Sequence, residues 1–539
     1  MKRLLALVLA LALALTMVSF AMADELVDGK FADTRKITVE IFHRHNDGGS
    51  DPADNPYTRF VHDQMLEKYN VDVEFVSAIG RWTEIDDLTN ALASGDAPDI
   101  CVTYSYPTIQ NFANMGGVLN LNDIDGKKLE EYKDILPNLW NLLGDNNIFY
   151  DQDPETGDLW AIEAILAENA RINTFIREDW LKKLDLPLPT TEEEFHDALV
   201  AFRDNAELLL GDDAGRMIPY STSYDVAWRN DHLFAAYIPN DVDDDTLFIN
   251  GFDDRHLLYP NFKEGVRTLN KWYNEGLVWK DFGEYPSGDT TEDNLMKAGF
   301  VGAFQHNWDY PYRGGEDSIA ANLKRISDDA AYVAVDCFKN DAGLYRKFLS
   351  ASVDRKVFFP ATNTEPLASL LYLDYISSPE AIAFLQLGEE GTTYNQLESG
   401  AYEKIATTGD WIQNSLNNID YTITVNGLYL GDATAETTAL GYEGVDSQYI
   451  VSALAASKQD GRVPAVYHVG AIEAESEYGT ALPTLRDTLL TNAVTTSVEN
   501  FDAVYDRYMQ DYMDNGGLAI TNERIEKINK YYGTSYELK

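Results

Sequence analysis

The stretch from Gly302 to Pro311 places aromatic and polar side chains directly after a short apolar run. Trp308 and Tyr310 supply flat rings, and Asn307 and Asp309 supply amide and carboxylate groups beside them. Rings can stack on flat C–H faces of a ligand, while neighbouring polar groups form hydrogen bonds to its hydroxyls. The mixture therefore predicts a platform for a hydroxyl-rich solute, with Trp308 as its main ring. Packing of Trp308 in a core is the alternative.

Further aromatic residues occupy loops at comparable positions. Trp82 follows the second predicted strand, Tyr104 and Tyr106 follow the third, and Trp228 lies where a loop enters a helix. Ligands of open α/β sheets bind at the carboxyl ends of the strands. We therefore expect these four rings to face a ligand cleft, with core packing or incidental surface exposure as the alternative for each.

Polar residues that could surround such a ligand follow the first predicted strand. Arg44, Asn46 and Asp47 lie in that loop, and ordinary solvated loop residues are the alternative interpretation. His43 and His45 would share one face of an extended strand, an arrangement that can bind zinc. Because no third ligand is evident nearby, the sequence predicts neither a metal nor another cofactor.

Motifs for catalysis are absent from the sequence. It contains no G-x-S-x-G elbow, no H-E-x-x-H and no phosphate-binding loop ending in Lys-Ser/Thr, so any ATPase must be a separate chain. The 89 acidic residues ensure that carboxylate pairs exist somewhere, which leaves a glycoside hydrolase as an alternative. We expect a binding protein that is not an enzyme.

The charge of the chain limits its partners. The sequence has 42 basic and 89 acidic residues and a formal net charge of −47. Such a surface repels nucleic acids and anionic membranes. It also makes a polyanionic ligand less expected than a neutral one, although a local basic pocket can override the net charge.

The first residues have the features of a secretory signal. Lys2 and Arg3 precede an apolar run from Leu4 to Val18, and Ala21-Met22-Ala23 forms a small-x-small cleavage pattern. We predict a signal peptide over 1–23 with no lipid anchor, because no cysteine stands near the cut. An uncleaved membrane anchor is the alternative. The expected location is extracellular, associated with the cell surface, or periplasmic.

The two cysteines, Cys101 and Cys337, both lie in apolar segments. Two buried free thiols are the simpler interpretation. A single bridge between them is the alternative in an exported protein.

Strand-like and helical patterns alternate along the chain. Apolar residues alternate over 37–41 and again over 71–75, a helical pattern lies between these two segments, and another helix ends at Gly95 before an apolar segment over 98–102. This β-α-β-α-β order predicts a parallel sheet. Similar alternation in the middle of the chain predicts more than one α/β unit.

Several segments together resemble extracellular solute-binding protein family 1, the carbohydrate-binding components of ABC importers. Each segment is weak alone, but their order and spacing over roughly residues 35 to 530 are specific. They are Leu92–Ile100, Ile176–Leu181, Pro189–Phe195, Tyr273–Leu277, Gly299–Ala303 and Gly388–Tyr394.

The resemblance implies an α/β fold of the periplasmic-binding-protein-like class II, with two lobes, a hinge and a central ligand cleft. By analogy, the chain crosses the hinge near residues 165, 352 and 410. Lobe 1 then comprises 36–165 plus 352–410, and lobe 2 comprises 166–351 plus 411–539. The implied partners of this expected monomer are an oligosaccharide and ABC permease subunits. A binder of another solute, such as a peptide, is the alternative on the same fold.

One segment departs from the family pattern. Longer members bind calcium in a loop with alternating Asp and Asn before an Ile-Pro dipeptide. The corresponding segment here, Leu210–Pro219, lacks that alternation and has Arg216 where a ligand is expected. Calcium needs six or more oxygen ligands, so we do not predict a calcium site.

Overall fold

The alternating strands and helices form two main sheets, each with its own large hydrophobic core, and one separate short antiparallel pair of strands. The computed structural model of the chain describes residues 26–44, 50–252, 256–285, 289–398, 402–405, 407–430, 445–463, 465 and 467–537. The predicted signal peptide and the candidate residues Asn46 and Asp47 lie outside the described residues.

The strands are β1 (Arg35–Glu40), β2 (Val71–Val76), β3 (Cys101–Thr103), β4 (Ile162–Leu166), β5 (Ile172–Arg177), β6 (Ile218–Ser221), β7 (Val301–Asn307), β8 (Tyr332–Val335), β9 (Val353–Phe358), β10 (Tyr394–Gln396), β11 (Tyr402–Lys404) and β12 (Val425–Asn426). The α-helices are α1 (Pro56–Tyr69), α2 (Glu84–Ser94), α3 (Tyr106–Asn114), α4 (Pro137–Ile148), α5 (Glu178–Lys183), α6 (Glu192–Asp204), α7 (Ala206–Leu210), α8 (Val226–Arg229), α9 (Asp231–Ala235), α10 (Asp244–Asn250), α11 (Phe262–Asn274), α12 (Thr291–Lys297), α13 (Ile319–Ile326), α14 (Pro366–Ile376), α15 (Pro379–Leu387), α16 (Ser447–Lys458), α17 (Glu473–Tyr478), α18 (Leu482–Thr495), α19 (Phe501–Tyr512) and α20 (Leu518–Tyr532).

The first sheet combines parallel and antiparallel strands. Four strands lie in the order β12-β4-β9-β3, and β1 with β2 extends this sheet through a parallel bridge between Val39 and Ile100. Strand β9 is antiparallel to both β3 and β4. The parallel pairing of β1 with β2 confirms the crossover that the sequence pattern predicted.

The second sheet has the order β6-β7-β5-β8. Strand β5 is antiparallel to β7 and β8, while β6 runs parallel to β7. Strand β5 is buried along its whole length, including its polar residues Asn173, Thr174 and Arg177.

Side-chain caps start several of the helices. The Ser378 hydroxyl accepts a hydrogen bond from the Ala381 N–H at 3.2 Å and begins α15. The Thr191 hydroxyl likewise accepts from the Glu194 N–H at 3.2 Å. In return, the Glu194 carboxylate accepts from the Thr190 N–H at 2.8 Å, one residue before the N-cap.

The two cores are assembled from discontinuous sequence. The first takes residues from Phe31–Ile162 and from Val357–Leu385, and the second takes residues from Ala170–Phe338 and from Ile450–Ile520. Tyr421 and Ile423 also pack in the first core, although they lie beyond residue 410, where we expected lobe 1 to end. The lobe boundaries stay a prediction. The free thiols Cys101 and Cys337 are buried in different cores.

Segments that connect the two sheets are hydrogen-bonded to each other. The Ser350 N–H donates to the Asn169 carbonyl at 2.9 Å, and the Leu166 N–H donates to the Ser352 carbonyl at 3.0 Å. The Ala167 N–H donates to the Asn426 carbonyl at 2.8 Å. These backbone contacts hold the connecting segments side by side at the base of the cleft.

Candidate functional site

A cleft with a volume of about 700 Å³ separates the two cores. This size lies within the usual range for small-molecule sites. Most of the residues predicted from the sequence line it, and they come from both lobes. The predicted residues that line the cleft are Arg44, Trp82, Tyr104, Trp228, Asn307, Trp308 and Asp309.

Trp82 presents its ring to solvent at the edge of the cleft. Its side chain belongs to the loop after β2, and 66% of the residue surface is exposed. The guanidinium of Arg81 lies 5.3 Å from the centre of the Trp82 ring and 4.0 Å from the centre of the Tyr104 ring. Such contacts between a cation and aromatic faces fix the relative positions of the three side chains. The first lobe therefore presents an accessible aromatic surface.

Buried Glu84 anchors this aromatic surface from behind. Its carboxylate accepts from the Arg81 guanidinium at 2.7 Å, from the Thr103 hydroxyl at 3.2 Å and from the Tyr104 N–H at 3.0 Å. Charge-assisted hydrogen bonds to one buried carboxylate tie the loop after β2 to the end of β3. Sequence reasoning missed both Arg81 and Glu84, although Arg81 adjoins Trp82 directly.

Trp308 is packed more deeply than the sequence suggested. Only 8% of its surface is exposed, and the residue belongs to the second hydrophobic core. Its N–H donates to the Arg171 carbonyl at 3.0 Å, and its carbonyl accepts from the Asn173 amide at 3.0 Å. Strand β7 extends to Asn307, so Trp308 follows the strand immediately. An open, flat platform at Trp308 was expected, and the structure instead leaves only a small part of the residue on the cleft wall.

Neighbouring aromatic residues form a stack in the second lobe. The Trp228 ring meets the His306 ring edge-on at 5.0 Å, and the His306 ring stacks on Tyr310. The Tyr310 hydroxyl donates to Asp293 at 2.6 Å. Burial, reinforced by Arg229, lowers the pKa of His306 well below its usual range, so this imidazole is neutral. The stack fixes the orientation of Trp228 at the cleft.

Two predicted rings lie outside the cleft lining. Tyr310 packs on His306 as described, and Tyr106 begins α3, with its hydroxyl donating to the Asp151 carbonyl at 3.2 Å. Neither is among the described residues that line the cleft. Both were expected there because they follow strands, but each strand leads directly into a turn or helix that carries the ring behind the wall.

Arg44 is held by an ion pair that the sequence did not reveal. Its guanidinium donates to both carboxylate oxygens of Asp420, at 2.5 and 2.9 Å. The Asp420 side chain is fully buried, and the buried Arg355 guanidinium lies 3.9 Å from it. The two partners are 376 positions apart in the chain, so no local pattern could have found the pair.

A smaller cavity of about 410 Å³ adjoins the cleft. Both spaces share lining residues, among them Tyr104 and Asp354, which makes them neighbouring compartments. Tyr150, Tyr467 and Arg524 line the smaller cavity alone. The smaller cavity therefore adds further aromatic and cationic side chains next to those of the cleft.

The segment compared with calcium loops carries a cation over a ring. The Arg216 guanidinium lies 3.8 Å from the centre of the Phe300 ring and 3.6 Å from the Asp213 carboxylate. Within the described ranges, no group of three or more His, Cys, Asp or Glu side chains is arranged to hold a metal. No helix in the described part of the chain is long and apolar enough to span a membrane.

Two α/β lobes around a polar and aromatic cleft define a binding protein of the periplasmic type, class II. The family model for bacterial extracellular solute-binding proteins matches residues 49–383, and the chain belongs to this family.

The relatives extend over different shares of the chain. The polygalacturonan/rhamnogalacturonan-binding protein YtcQ of Bacillus subtilis is 23% identical over 377 residues, covering 66% of this chain and 68% of that protein. The fructooligosaccharide ABC transporter substrate-binding protein FusA of Streptococcus pneumoniae is 26% identical over 273 residues, covering 49% of this chain and 45% of that protein. The crystal structure of the alginate-binding protein AlgQ2 without calcium has a TM-score of 0.63 at 15% identity, covering 94% of this chain and all of that one. The structural similarity to AlgQ2 supports the assignment of the fold.

Proposed function

We propose that this protein captures an oligosaccharide between its two lobes and delivers it to the permease of an ABC importer. The observation that carries the proposal is the exposed ring of Trp82, held beside Arg81 and Tyr104 at one wall of a cleft of about 700 Å³. Aromatic faces flanked by hydrogen-bonding groups suit the alternating apolar faces and hydroxyl rims of sugars. The names of the relatives YtcQ and FusA, which describe saccharide binding, support the same ligand class.

Capture is proposed to involve closure of the lobes. Trp82 and Trp228 lie on different lobes and both line the cleft, so a ligand that bridges them would favour closer approach of the lobes. Binding then shifts the hinge equilibrium towards the closed state. The hydrogen-bonded connecting segments at 166–169 and 350–352 are suitable hinge elements because both link the two sheets.

The protein is further proposed to be an exported monomer without catalytic activity. Export would release a chain that begins at Asp24 after cleavage, which N-terminal sequencing of secreted protein would identify. The family consists of solute-binding proteins, and this supports a role in binding over one in hydrolysis. On this proposal a separate ATPase chain would supply the energy for import, since the sequence has no phosphate-binding loop.

The deciding experiment is a thermal-shift screen of the purified protein against oligosaccharides, peptides and other small solutes, followed by chromatography of the recovered ligand. We expect a shift with an oligosaccharide that is recovered intact. Hydrolysis of the saccharide would identify an enzyme instead. A shift with peptides and not with any saccharide would overturn the ligand class.

A further inference from the structure

We propose that the oligosaccharide carries carboxylate groups, as uronate-containing saccharides do. This inference rests on the proposed function and specifies its substrate class. The net charge of the chain pointed towards a neutral ligand, but the cleft differs from the rest of the molecule in the sign of its side chains.

The charge balance of the cleft is opposite to that of the whole chain. Among the described residues that line the two compartments, seven side chains are Arg or Lys and three are Asp or Glu. The whole sequence has 42 basic and 89 acidic residues. A cleft lined mainly by one sign of charge concentrates ligands of the opposite sign. The lining cations are Arg44, Arg81, Arg171, Arg313, Lys356, Lys458 and Arg524.

The ion pairs of the first lobe are oriented with the cation towards the cleft. Asp420, the partner of Arg44, has a fully buried side chain and does not belong to the cleft lining. Glu84, the partner of Arg81, is likewise buried behind the wall. Each guanidinium is the more exposed member of its pair. The carboxylates therefore orient the guanidinium groups, and the guanidinium groups face the space that a ligand would occupy.

In the second lobe the cation is again the more exposed member of each pair, while the carboxylates Asp309 and Glu168 also line the cleft. The side chain of Arg313 is 35% exposed, whereas that of its partner Asp309 is 2% exposed. Lys458 at the end of α16 pairs with Glu168 at 2.5 Å and is again the more exposed member, at 42% against 26%. Cations from both lobes thus point into the same cleft.

A carboxylate satisfies such groups better than a hydroxyl does. Guanidinium groups match the planar carboxylate with paired, charge-assisted hydrogen bonds, which are roughly twice as strong as neutral ones. A neutral ligand offers these cations only uncharged hydroxyl acceptors, whereas a carboxylate supplies a charged acceptor for the N–H groups that face the cleft. The four oriented ion pairs on both walls therefore favour an anionic ligand with several carboxylates along its length.

Calorimetry with matched trisaccharides tests the inference. Trimers of galacturonate, mannuronate, guluronate and glucuronate would be compared with their methyl esters and with neutral kestose and maltotriose. We expect at least one uronate trimer to bind at least about tenfold more tightly than its methyl ester, as one charged hydrogen bond can provide. Its affinity should also fall as NaCl is raised. Binding of neutral trimers without any uronate trimer would overturn this inference and leave the proposed function intact. Absence of binding by every saccharide would overturn both.

A pair of lysine variants tests whether the preference for a charged trisaccharide comes from cations in the cleft. Lys458→Gln removes a cleft cation, and Lys182→Gln removes a cation that pairs with Glu178 at 3.0 Å outside the cleft lining. We expect Lys458→Gln to weaken the uronate trimer about tenfold, with a smaller change for its methyl ester. Lys182→Gln should leave both affinities at the wild-type values. Equal losses for acid and ester in Lys458→Gln would contradict a charge-based role.

Discussion

The guanidinium of Arg81 lies 4.0 Å from the centre of the Tyr104 ring, while the same side chain donates to buried Glu84 at 2.7 Å. One cation thus connects a buried carboxylate to an aromatic surface that faces the cleft. Trp82, next in the chain, extends this surface into solvent. Arg81 and Glu84 therefore fix the geometry of this surface, while the ring of Trp82 is available to a ligand.

Replacing Trp82 by Ala should weaken saccharide binding without destabilising the fold. Because the ring is mostly exposed, its loss creates no cavity, whereas a stacking contact is worth about 1–3 kcal/mol on the scale of base–aromatic stacking. Calorimetry and a melting curve on one variant measure both quantities. Ile85→Ala, on an exposed neighbour that is not among the cleft-lining residues, is the matched control and should retain affinity. Unchanged affinity in Trp82→Ala would remove the main support for the proposed platform.

Replacing Trp308 by Ala should mainly reduce stability. The residue is nearly buried in the second core, so truncation leaves a cavity and should lower the free energy of unfolding by about 3–5 kcal/mol. Denaturant unfolding measures the loss, and Trp308→Phe should recover part of it. A large loss of affinity with unfolding unchanged would instead support the ring platform that the sequence suggested.

Replacing Asp420 by Asn should be strongly destabilising. The change leaves Arg44 without the charge of its bidentate partner and removes the carboxylate beside buried Arg355. Breaking a buried pair typically costs about 3–5 kcal/mol. Asp410→Asn removes a mostly exposed carboxylate 3.7 Å from Arg59 and should change unfolding by less than about 1 kcal/mol. Similar unfolding curves for the two variants would show that the buried ion pair of Asp420 contributes no more stability than an exposed pair.

Stability should fall as the pH rises from about 5 to 8, in part because of Glu40. Burial raises the pKa of this carboxyl to about 8, against an ordinary value of 4.5. Between these values the unfolded chain has lost the proton and the folded chain retains it, so rising pH favours unfolding. Glu40→Gln should flatten the curve of unfolding free energy against pH in this range, because the amide does not titrate. Glu67→Gln, at an exposed position, should follow the wild-type curve.

Ligand should reduce the radius of gyration of the protein. Closure of the lobes on a bridging ligand makes the molecule more compact. Small-angle scattering with and without a saturating saccharide measures the change. Binding that is proven by calorimetry but leaves the radius unchanged would contradict the closure mechanism.

Local sequence determined the elements of this fold. Alternating strand and helix patterns predicted the parallel pairing of β1 and β2, and capping residues such as Ser378 marked where helices begin. These features depend on residues close together in the chain, since backbone conformation and capping are local. The ordered motifs between Leu92 and Tyr394 were sufficient to indicate the family.

The tertiary structure decided which of the predicted rings are accessible. Trp82 and Trp308 both follow strands, yet one is 66% exposed and the other 8% exposed. The difference arises from what packs around each ring, and those neighbours come from distant segments. The same is true of Arg44, whose partner Asp420 lies 376 positions away. Burial and long-range ion pairing are properties of the assembled chain, so sequence spacing predicted where the cleft residues would gather but not which of them would face it.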